Sequence, residues 1–279
     1  MRRGLTTVVL LSVLLALAAC GGGEEDEAAG TTAATNGGAK SEPGVIEVKG
    51  AEYAFVMPDE VEGGVVSFET SNIGKEVHEY ALGRLDQGKT LADVKKRLAQ
   101  GEGEPPPWFT DVAGVPVLSP GEEIAITREL QPGTYVFLCF IPSPKGVPHY
   151  ELGMLKSFEI VGDSGRELPQ PDATITAKKG GYDIPALEAG PQTVELRNAD
   201  TKEREFFLMT LKPGKTLEDI DAWGEGGFKG PAPGTFLGAM QTIPPGTSVY
   251  LDIDLEEGVE YTLTDTSGER PIVATFTPR

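Results

Sequence analysis

The sequence predicts an all-β fold made of two similar domains in tandem. Glycine and proline are abundant, with 36 and 22 copies in 279 residues. Val, Ile, Thr, Tyr and Phe cluster in short runs between them, which is typical of many short strands joined by turns. Blocks of the first half also recur in the same order in the second half, which indicates an internal duplication.

Most apolar runs of the first half are short enough to be strands. They predict strands at 45–48, 65–70, 78–82, 124–130, 134–140 and 155–161. The segment Thr90–Leu98 differs, because its apolar residues recur at helical spacing behind Thr90, a suitable N-cap. A short helix is therefore expected between strands. The run 134–140 is apolar on both faces, which predicts a central strand covered on both sides.

The two copies align over long blocks. Asn72–Val94 matches Asn198–Ile220 without a gap, at an offset of 126 residues. The shared residues belong to turns and to the core, so the fold explains them. Several polar or sulfur-bearing residues are specific to the first copy. Their counterparts in the second are Arg204 for His78, Thr264 or Asp265 for Cys139, and Ile272 for Met154. The first copy, 44–162, is therefore expected to carry the function. The second, 172–279, follows a polar linker at 163–171.

Residues 1–20 are predicted to be a signal peptide. Two arginines precede an apolar run that is short for a membrane span. The run ends in Leu17-Ala18-Ala19-Cys20, which resembles the lipobox of bacterial lipoproteins. The resemblance implies lipid on Cys20 and anchoring at the outer face of the cytoplasmic membrane; an ordinary signal peptide is the alternative. Residues 21–43 have little apolar bulk and are predicted to form a disordered tether.

The formal net charge of −19 argues against binding of nucleic acid, because a phosphate backbone requires a basic face. The charge is compatible with an exported soluble domain and with a basic protein partner.

Cys139 would be the sole thiol of a chain whose Cys20 carries lipid, because the sequence has two cysteines. Exported proteins meet oxidising surroundings, so a lone thiol there needs burial or a role. Burial as a small apolar residue is one interpretation; ligation of a soft metal is the other. Both histidines of the chain, His78 and His149, also fall in the first copy. Two histidines, a cysteine and a weakly bound methionine form the blue-copper ligand set.

The first copy, over Val45–Val161, resembles a cupredoxin of the plastocyanin and azurin type. The resemblance is carried first by an Asn-x-Gly turn, Asn72 to Gly74, followed by His78 on a strand. It is carried next by Cys139, His149 and Met154, in that order, between the last two strands. It implies Greek-key β-sandwiches and one copper ion bound by His78, Cys139, His149 and Met154. It also implies electron transfer with a redox protein, and a loop histidine at the exposed edge as the electron port.

The loop Phe140–Pro148 is longer than is usual for this family, which makes Glu151 a substitute oxygen ligand. Copper delivery or sequestration at the cell surface is a variant that uses the same ligands. Multicopper enzymes need histidines beyond His78 and His149, so the sequence predicts that the protein is not an enzyme. The alternative is a metal-free binding module that presents its loops to a partner.

Overall fold

The computed structural model describes residues 44–101, 105–112, 114–268 and 271–279. The predicted signal peptide, the lipidation site Cys20 and the predicted tether lie outside the described residues. Within the described ranges, none of the helices is both long and apolar enough to span a membrane.

The first half of the described chain alternates strands with two short helices. Its elements are β1 (Val45–Ala51), β2 (Ala54–Val56), β3 (Glu60–Glu62), β4 (Gly64–Asn72), β5 (His78–Leu85), α1 (Leu91–Leu98), β6 (Phe109–Asp111), β7 (Val115–Leu118), β8 (Glu123–Leu130), β9 (Gly133–Leu138), α2 (His149–Leu152) and β10 (Leu155–Val161).

The second half follows a similar order with one helix. Its elements are β11 (Ala173–Lys178), β12 (Gly181–Asp183), β13 (Gly190–Asn198), β14 (Arg204–Leu211), α3 (Leu217–Glu225), β15 (Gly234–Ile243), β16 (Ser248–Leu255), β17 (Tyr261–Asp265) and β18 (Ile272–Phe276). The predicted all-β class with a short helix in each half is confirmed.

One eight-stranded sheet runs through both halves, in the order β12-β11-β13-β16-β8-β4-β1-β2. The halves join where β8 and β16 pair antiparallel, with Ile126 opposite Leu251. Each half adds a sheet of its own, β3-β10-β9-β5-β6 with β7 on β5 in the first and β15-β14-β17-β18 in the second. The apolar core lies between the shared sheet and these smaller sheets, as where Phe68 of β4 meets Phe137 of β9 edge to face. The sandwiches are thus fused through one sheet, which the sequence did not predict.

Helix α1 forms where the sequence predicts it. The Thr90 side chain accepts a bond from the amide of Asp93, and the Asp93 carboxylate accepts from the amide of Thr90. This capping box satisfies two donors that a helix N-terminus leaves free. Val94 packs with Leu138 on the side of β9 away from the main core. The prediction that β9 is covered on both sides is therefore confirmed, although Phe140 lies beyond its end and is 47% exposed.

The predicted linker, residues 163–171 of the described chain, has no regular secondary structure. It is nevertheless bonded to the first half. The amide of Ser164 donates to the carbonyl of Gly63 at 2.7 Å. The guanidinium of Arg166 donates to the carbonyl of Gly44 at 2.9 Å and to the hydroxyl of Ser67 at 3.1 Å. These bonds fix the path of the chain between the two halves.

Candidate metal centre

His78 is positioned by the turn that precedes β5. The Asn72 side chain accepts a bond from the amide of Gly74 at 2.9 Å and donates to the carbonyls of Glu76 and Leu118, both at 2.8 Å. A Cβ atom added at Gly74 would lie 2.8 Å from Nε2 of His78. Only glycine leaves room for the imidazole, so this turn places the ring at the start of β5.

Cys139 directly follows β9, and β9 lies between β5 and β10 in the sheet. The amide of Glu79 donates to its Sγ atom at 3.3 Å. The Glu79 carboxylate accepts from the amide of Phe140 at 3.1 Å, so one residue of β5 binds on both sides of the cysteine. A backbone N–H aimed at the sulfur favours the thiolate form that binds metals.

The long loop after Cys139 closes on itself. Pro142 and Pro148 form an antiparallel bridge, the amide of His149 donates to the carbonyl of Ile141 at 2.9 Å, and the amide of Tyr150 donates to the carbonyl of Cys139 at 2.9 Å. The residues between the two prolines form a side excursion, and its ends meet beside the sulfur. His149 then opens the four-residue helix α2, which the sequence did not predict.

Three side chains converge on one point. Nδ1 of His149 lies 3.2 Å from Nδ1 of His78 and 3.4 Å from Sγ of Cys139. One ligand atom from each of the three residues lies within 4.8 Å of the others, and all three residues are 0% exposed. Two nitrogens bound tetrahedrally at about 2.0–2.1 Å from one metal would stand ~3.3 Å apart. The spacing of the three donors therefore fits a single transition-metal ion.

The electrostatics suit ligands that must bind in neutral or anionic form. Burial lowers the pKa of His78 to about 4, and the neighbouring His149 contributes to that shift. Burial also lowers the pKa of His149, against the opposing effect of a hydrogen bond to Glu76. Both imidazoles are therefore neutral near pH 7. Burial raises the pKa of the Cys139 thiol, so the metal-free site keeps its proton and metal binding must displace it.

Met154 is fully buried beside this group. Its amide donates to the carbonyl of His149 at 2.9 Å, and its carbonyl accepts from the amide of Cys139 at 3.2 Å. Glu151, the expected substitute ligand, is exposed, and its carboxylate accepts from the hydroxyl of Tyr150. It does not belong to the cluster of potential ligands in the described chain.

His149 does not lie at an exposed edge, so that expectation is wrong. Its ring is 0% exposed because the Glu76 carboxylate lies 3.0 Å from Nε2 and the Tyr53 ring packs edge-on at 5.0 Å between centroids. Sequence reasoning missed both residues, since neither has a metal-ligand spacing to His149. The alignment of the two halves could have indicated Glu76, because this carboxylate is specific to the first half and aligns with Lys202 in the second.

A cleft of about 630 Å³ lies between the halves beside His149. The first half contributes Glu76, His149, Pro142 and Pro144 to its lining. The second half contributes Lys212 and the segment Gly227–Ala232. The excursion therefore faces the second half, next to the candidate ligand.

No family model matches this chain, and no curated protein matches it. Among solved structures, reduced auracyanin from Roseiflexus castenholzii matches 43% of this chain and 99% of its own, at 25% identity and a TM-score of 0.31. A multicopper oxidase matches 84% of this chain and 88% of its own, at 11% identity and a TM-score of 0.26. The copper-containing nitrite reductase of Thermus scotoductus matches 84% of this chain and 61% of its own, at 11% and 0.24.

The expectation that the protein is not an enzyme is wrong as an exclusion. Two of the solved structures, each of which matches 84% of the chain, are an oxidase and a reductase. At these identities and TM-scores the matches assign no activity to this chain. The all-β architecture predicted from the sequence is shown by the strands and sheets of the structure itself.

Proposed function

We propose that the first half binds one copper ion through His78, Cys139 and His149, with Met154 as a further ligand, and that the protein transfers electrons. The observation that supports this proposal is the buried triangle of two Nδ1 atoms and one Sγ atom. Two imidazoles with a thiolate suit both Cu(I) and Cu(II), so the ion would change charge with little rearrangement.

Copper would supply the change of oxidation state, and the protein would supply a fixed set of donors. The Glu79 amide stabilises the sulfur in its anionic form. The Asn72 turn holds the ring of His78 in place. The bonds at the base of the excursion hold His149 beside the cysteine. Donors held in this way limit the reorganisation that accompanies a change of charge.

Burial favours electron transfer over copper delivery as the role of the site. All three donors are 0% exposed, so an ion can leave only after the loop or the Glu76 side chain moves. An electron needs no such opening. Surface copper handling, which uses the same ligands, therefore has less support from the geometry.

The sequence supports a proposal for the location and the partner. We propose that lipid on Cys20 anchors the chain to the outer face of the bacterial cytoplasmic membrane, and that its redox partner is a protein with a basic docking face. The charge of −19 supports the basic partner. Cells given a labelled fatty acid should label the wild-type protein but not Cys20→Ser; equal labelling would refute the anchor.

The copper site is tested by a visible spectrum. The chain from Gly21 onward, titrated with Cu(II), is expected to bind one equivalent and to develop an intense thiolate-to-copper band. The band should be lost in Cys139→Ser. Met154→Leu should shift the band or the reduction potential, whereas Met209→Leu is the matched control, a buried methionine of the second half.

The result also separates this proposal from the metal-free alternative. A chain that binds no stoichiometric copper would refute the site and favour a binding module. A reversible wave at an electrode would support electron transfer. Transfer of the metal to a competing chelator within seconds would instead favour copper handling.

A further inference from the structure

The outward nitrogen of His149 is bound to a carboxylate that is itself held by a tyrosine. Nε2 of His149 lies 3.0 Å from Oε2 of Glu76, and the hydroxyl of Tyr53 donates to Oε1 of the same carboxylate at 3.1 Å. The Tyr53 ring also contacts the imidazole edge-on. One side chain therefore touches both the histidine and the carboxylate that binds it.

Tyr53 adopts a backbone conformation that tyrosine rarely takes. Its φ is +61°, in the left-handed region, which costs a non-glycine residue on the order of 1 kcal/mol. The turn joins β1 to β2 and is closed by the pair Ala51 and Ala54. In the second half the turn from β11 to β12 is closed by Lys178 and Gly181 in the same way.

In that second turn the place of Tyr53 is taken by Gly180, whose φ is +82°. Glycine adopts this conformation without the steric cost. The turn therefore does not require a tyrosine, and the strain at Tyr53 is offset by contacts that the side chain makes. Those contacts are the ring of His149 and the carboxylate of Glu76.

The comparison of the two halves also shows that the turn around Glu76 does not require a carboxylate. The backbone carbonyl of Glu76 accepts from the side-chain Nδ2 of Asn72 at 2.8 Å, and in the second half the carbonyl of Lys202 accepts from the side-chain Nδ2 of Asn198 at 2.8 Å. The turn is bonded alike in both halves, although a cation replaces the carboxylate in one of them. The carboxylate of Glu52 accepts from the backbone amides of Lys75 and Glu76. The Glu76 side chain is explained by His149 rather than by the turn.

We propose that Glu76 and Tyr53 are positioning residues of the copper site. Glu76 fixes the imidazole of His149 with Nδ1 toward Cys139, and its negative charge favours Cu(II) over Cu(I). Tyr53 holds the carboxylate in place and covers the ring. This inference rests on the proposed copper function and adds the groups that orient the ligand and set the reduction potential.

Glu76→Gln is the main test, because it keeps the shape of the side chain and removes its charge. Removal of a partner that orients a metal-bound histidine typically costs 10–100-fold in metal affinity, and we expect a loss of that size for Cu(II). The affinity for Cu(I) should fall less. Each tenfold difference between the two losses raises the reduction potential by about 59 mV. Tyr53→Phe should shift both quantities in the same direction by less.

The matched control is Glu122→Gln. Glu122 lines the same cleft but accepts from the amide of Ser119 and does not contact His149, so it reports the general effect of one lost charge. Thermal unfolding of the metal-free variants separates positioning from folding, and we expect Glu76→Gln and Glu122→Gln to unfold at similar temperatures.

The outcomes are distinct. A wild-type chain that binds no copper overturns both this inference and the proposed function. A wild-type chain that binds copper, with the affinity and potential of Glu76→Gln equal to those of Glu122→Gln, overturns this inference alone. If Glu76→Gln fails to fold, Tyr53→Phe decides the matter, because a phenylalanine variant with wild-type affinity and potential also overturns it.

Discussion

The two halves of the molecule place different chemistry at the same point of the same framework. In the first half β9 pairs with β5, with Ala81 opposite Leu138. In the second half β17 pairs with β14, with Phe207 opposite Thr264. Both strands are displaced by the same 126 residues, so the register is identical. The duplication itself stays a prediction, but these two strand pairs are directly comparable.

Identical register makes His78 the counterpart of Arg204 and Cys139 the counterpart of Asp265. The second pair forms an ion pair of 3.0 Å, with side chains that are 8% and 1% exposed. Burial of polar groups at this point demands a partner. One half meets the demand with opposite charges, and the other with neutral groups whose shared partner, on our proposal, is copper. The framework thus fixes which two side chains meet, and the residue types decide what they do.

The largest effect is expected when one member of the ion pair is removed. Asp265→Ala leaves the Arg204 guanidinium buried, with the Lys178 carbonyl at 2.9 Å and the more distant Asp200 carboxylate at 3.8 Å as its partners. Loss of one partner from a buried pair typically costs about 3–5 kcal/mol, and we expect the free energy of unfolding to fall by that amount in urea titrations.

The double variant Arg204→Met with Asp265→Leu is the control for that prediction. Apolar replacement of a whole buried pair is often neutral, so the double variant should unfold close to the wild type. If Asp265→Ala is as stable as the double variant, the prediction is contradicted, because Arg204 would then not need Asp265 as its buried partner.

The first half should add a pH dependence to the stability of the metal-free protein through His78. The pKa of His78 is about 4 when folded, against 6.5 for the free side chain, chiefly because of burial. The unfolded chain therefore binds the extra proton between these values. Stability from this group is complete above pH 6.5 and declines by roughly 3 kcal/mol as the pH falls to 4. Urea titrations across that range measure it, and His78→Asn should flatten the slope; an unchanged slope would contradict the prediction.

Two asparagines allow a matched test of the two turns. Asn72 and Asn198 are both buried, and each donates to two backbone carbonyls. Alanine at either position should cost about 1–3 kcal/mol, because buried carbonyls lose their donors. Only Asn72→Ala should also weaken copper binding, measured by titration with a competing chelator. An equal loss in Asn198→Ala would mean that the second half contributes to the site.

The smallest effect is expected from the excursion that only the first half contains. Replacement of Ser143–Val147 by Asn-Gly gives a two-residue turn between the paired prolines. Since the bonds that hold His149 lie outside the replaced segment, the thiolate band should persist. Shortening this loop from five residues to two changes its closure free energy by only ~0.8 kcal/mol, so copper affinity should change by no more than roughly fourfold. Loss of the band would show that the excursion positions the ligand.

The sequence predicted the parts of this molecule that depend on local patterns. Thr90 and the apolar spacing behind it indicated α1, and the short apolar run from Leu155 to Val161 predicted β10 with its observed ends. Two histidines and a cysteine that fall in one copy indicated the residues that converge. These signals are visible because each depends on residue type at short range or on internal comparison.

The remainder depends on tertiary contacts that no local pattern contains. The pairing of β8 with β16 joins residues about 125 apart, and each strand alone reads as an ordinary sheet member. The burial of His149 depends on Glu76, which the fold brings over the ring from a distant turn. The expectation of an exposed histidine failed because family resemblance describes the common case, and this chain adds a carboxylate and a tyrosine of its own.

The shared sheet has a further consequence for self-association. In separate sandwiches β8 and β16, of eight residues each, would present long unpaired edges, and such edges template aggregation. Their mutual pairing leaves β2 and β12, each of three residues, as the outer strands of that sheet. Either half alone is therefore expected to self-associate through this exposed edge, whereas in the whole chain β8 and β16 cover each other.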